Sequence, residues 1–211
     1  GIAWRGGEGD SAETILEDAV VMSPCAAAAI YHRDIYVSMG GMAEYFFCYY
    51  EDVDLGLRFR LLGHETIQLA GAKVRHVGSA TAGKNSKFIK YYVSRNRIWT
   101  FIRCVPGLLF AACLPLLILS IVTRLCFSIF TGDTFTKLKA FFDAFRRLFR
   151  IWNDRKVIQK ARKSSVLQFG SDMTWSIGKL ILRSSDCRPI SPEKFSKEPG
   201  APFQAGGLDG S

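Results

Sequence analysis

Hydrophobic and polar positions change period several times along the 211 residues, and each change predicts a change of structure. Residues 1–13 (GIAWRGGEGDSAE) are Gly-rich and polar, which predicts a surface loop. Residues 20–31 (VVMSPCAAAAIY) are small and apolar, the composition of a buried strand interrupted by Pro24. Residues 32–39 predict a short helix that Gly40-Gly41 ends, because glycine takes the left-handed backbone without a Cβ clash. An aromatic run, Tyr45-Phe46-Phe47-Cys48-Tyr49-Tyr50, comes next. Over residues 51–63, Leu55, Phe59 and Leu62 recur at i, i+4 and i+7 while Glu51, Asp52 and Asp54 crowd the first turn. This is the pattern of a helix with an acidic start and Gly63 as its stop. Residues 65–69 and 72–77 alternate as two short strands around an Ala70-Gly71 turn. Residues 76–86 read as a Gly-, Ser- and Thr-rich loop, and residues 87–103 as a basic, aromatic helix.

Beyond this point the pattern is that of a membrane surface. Residues 104–123 are 20 positions without a charge, the length of a bilayer-spanning helix at about 20 residues. Residues 137–163 follow a Thr-Gly-Asp-Thr turn and hold 10 basic and 2 acidic side chains, with Leu138, Phe141, Phe145, Leu148, Phe149 and Trp152 on one helical face. Such a helix lies in the plane of an anionic membrane. The tail after Arg183, rich in Pro and Ser, predicts disorder. Four segments result: a globular part (1–103), a hydrophobic membrane segment (104–132), a basic amphipathic region (133–183) and a disordered tail (184–211).

The net charge of +9 belongs to the second half, since residues 1–100 hold 11 basic and 11 acidic side chains and residues 101–211 hold 17 and 8. Residues 84–103 carry six basic and no acidic side chains, so both flanks of the apolar block are drawn to the cytoplasmic side. That favours a re-entrant or shallow segment, broken near Pro115, over a single crossing. A basic, aromatic stretch also suits nucleic acid, but its apolar neighbour makes membrane the better partner, and no nucleic acid is expected. Six cysteines without CxxC spacing read as reduced thiols. The chain opens without Met and without a secretory signal, which gives the expectation that it begins inside a longer protein.

The densest chemical signal is Glu51-Asp52-Val53-Asp54. Mutual repulsion raises at least one pKa, while a helix N-terminus favours the charged forms. Acids at a helix start are often only structural; here the surrounding sequence adds more. The ordered run Gly40-Gly41, Tyr45-Phe46-Phe47, Glu51-Asp52-Val53-Asp54-Leu55-Gly56-Leu57-Arg58, Gly63 and Val74-Arg75-His76 resembles family 2 glycosyltransferases, in particular their bacterial rhamnosyltransferase-like branch.

The resemblance covers residues 1–103 and implies an α/β fold, the C-terminal part of a GT-A (Rossmann-like) domain, followed by membrane-associated helices. It implies that Asp52 is the base that deprotonates an acceptor hydroxyl as it attacks a nucleotide sugar with inversion. A carboxylate is suited to this, because a sugar hydroxyl is a poor nucleophile until its proton is accepted. Glu51 would help hold the acceptor and Asp54 would bind substrate or brace the helix. His76 would help hold a divalent metal (Mg²⁺ or Mn²⁺) on the diphosphate. Lys84, Arg95 and Arg97 would lie near phosphates, on or beside a loop that closes over the donor, and Cys25 and Ala26 would belong to a small-residue acceptor pocket.

The sequence departs from the family in having Ala43 where an acid is usual, and in showing neither the N-terminal nucleotide-binding strands nor their DxD motif. Ser94-Arg95-Asn96-Arg97-Ile98-Trp99 has one residue too many between Arg97 and Trp99 for the processive motif. The expectation is an inverting hexosyl- or deoxyhexosyltransferase working on a lipid-linked or surface-polysaccharide acceptor at the cytoplasmic face of a bacterial inner membrane, and inactive as this fragment alone. The alternatives are a non-catalytic, membrane-anchored remnant or partner subunit, and a membrane-surface adaptor in which the basic helix alone matters.

Overall fold

The computed structural model describes residues 3, 17–74, 83, 86–182, 184 and 186–190. Among them are eight α-helices and a single two-stranded antiparallel sheet, so the expected Rossmann-like α/β fold does not form. The reason is local. Strand β1 (Ala19–Val21) stops before Pro24, and Ala26–Ala28 coil into a 3₁₀ turn, lacking the branched side chains that favour a pleat. Strand β2 (Thr66–Gln68) pairs with β1, Val20 opposite Ile67, and the second strand expected over 72–77 is absent from 72–74. A parallel sheet needs helices on both faces, whereas the long helices here pack on one another. Arg188, in the tail expected to be disordered, forms a bridge to Val20 instead, with N···O distances of 2.8 and 3.0 Å.

The shorter helices follow the sequence pattern. Helix α1 (Arg33–Ser38) ends at Gly40 and Gly41, both with positive φ, and α2 (Glu51–Leu61) ends before Gly63 at φ +88°. Helix α3 (Lys87–Cys104) is the centre of the molecule. It starts at Ser86, whose hydroxyl accepts the Ile89 N–H, and every residue from Arg95 to Cys104 is buried. Such a helix is enclosed on all sides and must satisfy its polar groups internally. The remaining elements supply the partners. Arg155 donates to the carbonyls of Ile102 (2.5 Å) and Val105 (2.6 Å), and Gln159 to those of Arg103 and Cys104. The last turn of α3, which has no intrahelical donors, is thus capped from α6 (Leu148–Ala161).

Helix α4 (Gly107–Thr131) runs unbroken through Pro115, contrary to the expected break, and ends at Gly132 with φ +70°. One face, with Leu109, Phe110, Cys113, Leu114, Leu117, Ile121 and Leu125, joins the core of Phe46, Ile98, Trp99, Phe101, Phe141 and Ile151. The core therefore draws on the first three segments together. The long basic helix is in fact two, α5 (Thr134–Arg146) and α6, with a break at Arg147. Phe141, assigned by pattern to the membrane face, points inward. Helices α7 (Val166–Asp172) and α8 (Ile177–Leu182) follow, and Phe169 of α7 packs with Leu61 and Cys104.

Asp54 ties α2 to α3. It is fully buried, accepts Arg58 Nε at 2.8 Å and lies 3.0 Å from Arg103 Nε. Arg58 in turn donates to the carbonyls of Met39 (3.0 Å) and Gly41 (2.6 Å), fastening the end of α1 to α2. Burial outweighs the Arg58 guanidinium and pushes the Asp54 carboxyl up to about 6, while an unfolded aspartate titrates near about 3.9. Between those values the native protein keeps a proton that the unfolded chain has lost. The contribution of this group is therefore fully present below the lower value and is lost as pH rises through about 6. Wild-type unfolding midpoints should fall across that window relative to Asp54→Asn, which mimics the protonated acid; parallel pH profiles for the two proteins would contradict the assignment.

Candidate functional site

The aromatic run between α1 and α2 is bent into a strained loop. Phe47, Tyr49 and Tyr50 all have positive φ (67°, 63° and 71°), a region that side chains other than glycine rarely occupy and that costs of order 1–3 kcal/mol each. Polar groups of α3 hold it there. Asn96 Nδ2 donates to the carbonyls of Phe46 (3.0 Å), Cys48 (2.8 Å) and Tyr49 (2.7 Å), and Arg95 Nη2 reaches those of Tyr45 and Phe46. Asn96 is itself fixed by Arg95 Nε on its Oδ1 at 2.9 Å. The loop delivers Glu51 and Asp52 as the first two residues of α2.

Asp52 is half-buried and makes no ion pair among the described residues. Its Oδ2 accepts the Ala26 N–H at 3.1 Å and its Oδ1 the Val53 N–H at 2.8 Å. Two of the four acceptor positions of the carboxylate are thereby used for aiming and two remain. The Ser23 hydroxyl donates to the Asp52 carbonyl, so the segment with Cys25 and Ala26 lies directly on the start of α2. The structure thus brings Cys25, Ala26, Glu51 and Asp52 together, as the sequence led us to expect.

Two polar groups beside Asp52 are buried without a hydrogen-bond partner among the described residues, Glu51 Oε2 and the Tyr31 hydroxyl. Burial, then the Asp52 charge, raises the Glu51 carboxyl against its own backbone hydrogen bond, and the same two causes push the Tyr31 phenol up to about 12. Tyr31 therefore remains a proton donor, stacked on Phe59 with ring centres 6.0 Å apart. Orphaned buried donors and acceptors are uncommon, and a pair of them beside a carboxylate suits a polar ligand.

The other assigned residues fall elsewhere. Asp54 belongs to the buried Arg58–Arg103 cluster and braces α2; it does not face a ligand. Arg95 and Arg97, two positions apart on α3, point in different directions. Arg95 serves the aromatic loop and lies over the rings of Tyr92 and Trp99. Arg97 is 3% exposed, its Nε and Nη1 lack partners among the described residues, and burial, reinforced by Arg124, lowers it to about 10. His76 and Lys84 lie outside the described residues. Among the described residues no three His, Cys, Asp or Glu side chains converge on a metal position.

Sequence reasoning passed over Tyr31, Asn96 and Gly56. Gly56 carried a readable signal, an isolated glycine inside a helical pattern, which marks a close approach. A Cβ there would stand 2.4 Å from Ser23 Oγ and 2.8 Å from Ser23 Cα. Gly56→Ala must push Ser23 away and with it the Ala26 N–H that aims Asp52. We expect a loss of about 1–3 kcal/mol of stability in thermal unfolding, whereas Gly71→Ala, which meets open space, should leave the midpoint unchanged; equal behaviour of the two would refute this packing. In comparisons with protein-family models, characterised proteins and solved structures, nothing matches the chain.

Proposed function

We propose that Asp52 is the general base of an inverting glycosyl transfer. It takes the proton of an acceptor hydroxyl while that oxygen forms its bond to the anomeric carbon of a nucleotide sugar, and the nucleoside diphosphate leaves with the electron pair of the broken C–O bond. The observation that carries this reading is the aimed Asp52 carboxylate, with acceptor capacity to spare, set among small residues and the unpartnered Tyr31 and Glu51 groups. Tyr31 and Glu51 orient the acceptor; the short side chains of Cys25 and Ala26 leave it room. The motif order quoted above supplies the reaction class. A divalent metal on the diphosphate belongs to the same family reading, but the described residues do not form a ligand set for it.

The acceptor, lipid-linked or saccharide, is taken at a membrane. Among the described residues one helix, α4, is long and apolar enough to cross a bilayer. Its outer face exposes Leu108, Leu116, Leu119, Val122, Phe127 and Phe130. On α5 and α6, Phe135, Leu138, Phe142, Phe145, Phe149 and Trp152 are exposed at alternating spacings of three and four, one apolar stripe. Phe110, on the core side of α4, is in edge contact with Trp152 of α6, ring centres 6.0 Å apart. Because α4 packs one side along its length on α3, α5 and α6, we read the whole apolar surface as seated in the plane of the cytoplasmic leaflet, with Lys and Arg on its rim contacting anionic headgroups.

The small sheet favours a second reading, in which the protein is a non-catalytic, membrane-bound partner of such an enzyme; the two strands described make no nucleotide-binding layer. One substitution separates the two. Asp52→Asn in the full-length protein should lower sugar transfer, read as nucleoside diphosphate release across a panel of nucleotide sugars, by about 10²–10⁴-fold, with vesicle binding unchanged. Transfer that survives this substitution would remove Asp52 as the base, and a wild-type protein that releases no nucleoside diphosphate from any donor would leave the partner reading in place.

A further inference from the structure

A cleft lies between α3 and the α5–α6 break, apart from Asp52. It has a volume of 310 Å³ and is lined by Tyr91, Arg95, Asp143, Arg146 and Arg147, the lower end of the range for small-molecule sites, about 300–1,000 Å³. Three guanidinium groups face one carboxylate, and that carboxylate is already engaged, since Asp143 accepts the Tyr91 hydroxyl at 2.5 Å. Lys139 adds a further positive charge 5.9 Å above the Tyr91 ring. Arg95 is locked under the cleft by its bonds to Asn96 and the loop carbonyls, while Arg146 and Arg147 are exposed at its mouth. A fixed guanidinium below and two above that make no ion pair among the described residues form a receptor for a small, multiply charged oxyanion, because the planar fork of arginine matches phosphate oxygens in pairs.

The position of the cleft says where such an anion is met. Asp143 and Arg146 each follow directly on residues of the exposed stripe, Phe142 and Phe145. With the stripe in the acyl region, residues one position further round the helix stand at headgroup depth. We propose that this cleft binds a phosphate monoester presented at the membrane surface, with Arg146 and Arg147 as its direct ligands and Arg95 as the buried counter-charge. The proposal rests on the membrane part of the reading above and is independent of whether Asp52 transfers sugar.

The test is binding of the full chain to phosphatidylcholine vesicles with and without phosphatidic acid, alongside titration with inorganic phosphate in the absence of vesicles. The variants are Arg146→Gln/Arg147→Gln and, as an equal charge loss on exposed positions of α6 outside the cleft, Lys156→Gln/Lys160→Gln. Phosphatidic acid should tighten wild-type binding by about tenfold or more; the arginine pair should lose that gain and the lysine pair keep most of it. If phosphatidic acid gives no gain while inorganic phosphate binds saturably to wild type and not to the arginine variant, the same chemistry holds with a soluble source. Equal losses in both variants mean diffuse attraction, and wild type indifferent to both probes means no receptor; either result overturns the proposal. Binding of wild type to neutral vesicles reports the apolar seat separately, and nucleoside diphosphate release reports Asp52.

Discussion

One side-chain amide organises the candidate site. Asn96 gathers three carbonyls of the aromatic loop onto a single nitrogen, from the middle of a helix whose surroundings exclude water. Three residues with positive φ persist only where the structure around them over-determines their conformation, and here α3 does so. The clamp depends on Arg95, which fixes the amide, and on the burial of α3 by α5 and α6, which makes an unmade bond costly. The exposed apolar helices and the Asp52 loop are thus mechanically one object: the elements that enclose α3 on one side present an apolar surface on the other.

The same enclosure explains the unusual number of buried charges. Arg58, Arg95, Arg97, Arg103 and Arg155 are all under 10% exposed. Arg58, Arg95 and Arg155 donate to carbonyls and Arg103 pairs in charge with Asp54, each joining elements distant in sequence. Removing one partner of such a set leaves a buried charge uncompensated, which is far more damaging than the pair is stabilising. Arg97, buried beside Tyr50, makes no ion pair among the described residues, and it and Arg103 each keep two nitrogens there without a hydrogen-bond partner.

The local fold was legible wherever glycine and periodicity agree. The stops at Gly40-Gly41 and Gly63, the acidic start of α2 and the extent of α3 could all be read from the chain. The architecture was not, because apolar runs such as 20–31 carry no information on whether neighbouring strands exist to pair with them, and alanine-rich segments coil when they do not. Pro115 read as a breaker, yet α4 continues through it, with Cys113 and Leu117 on either side packed into the core. For the candidate site, motif order grouped Asp52, Glu51, Cys25 and Ala26, which lie next to one another in the fold. Arg95 and Asp54 also make buried structural contacts, with loop carbonyls and with Arg58 and Arg103, which an arginine or aspartate does not reveal in sequence. Asn96 left no trace, since one polar residue in a basic, aromatic helix is unremarkable until three carbonyls are seen around it.

The claim that α3 holds the loop in its strained form, and through it Asp52, is tested most directly by amide hydrogen exchange in Asn96→Ala. The account predicts faster exchange confined to residues 46–54, with α3, α5 and α6 still protected at the wild-type level. Exchange over 46–54 that remains at the wild-type rate in this variant would show that the loop keeps its conformation without the clamp, and the account would fall.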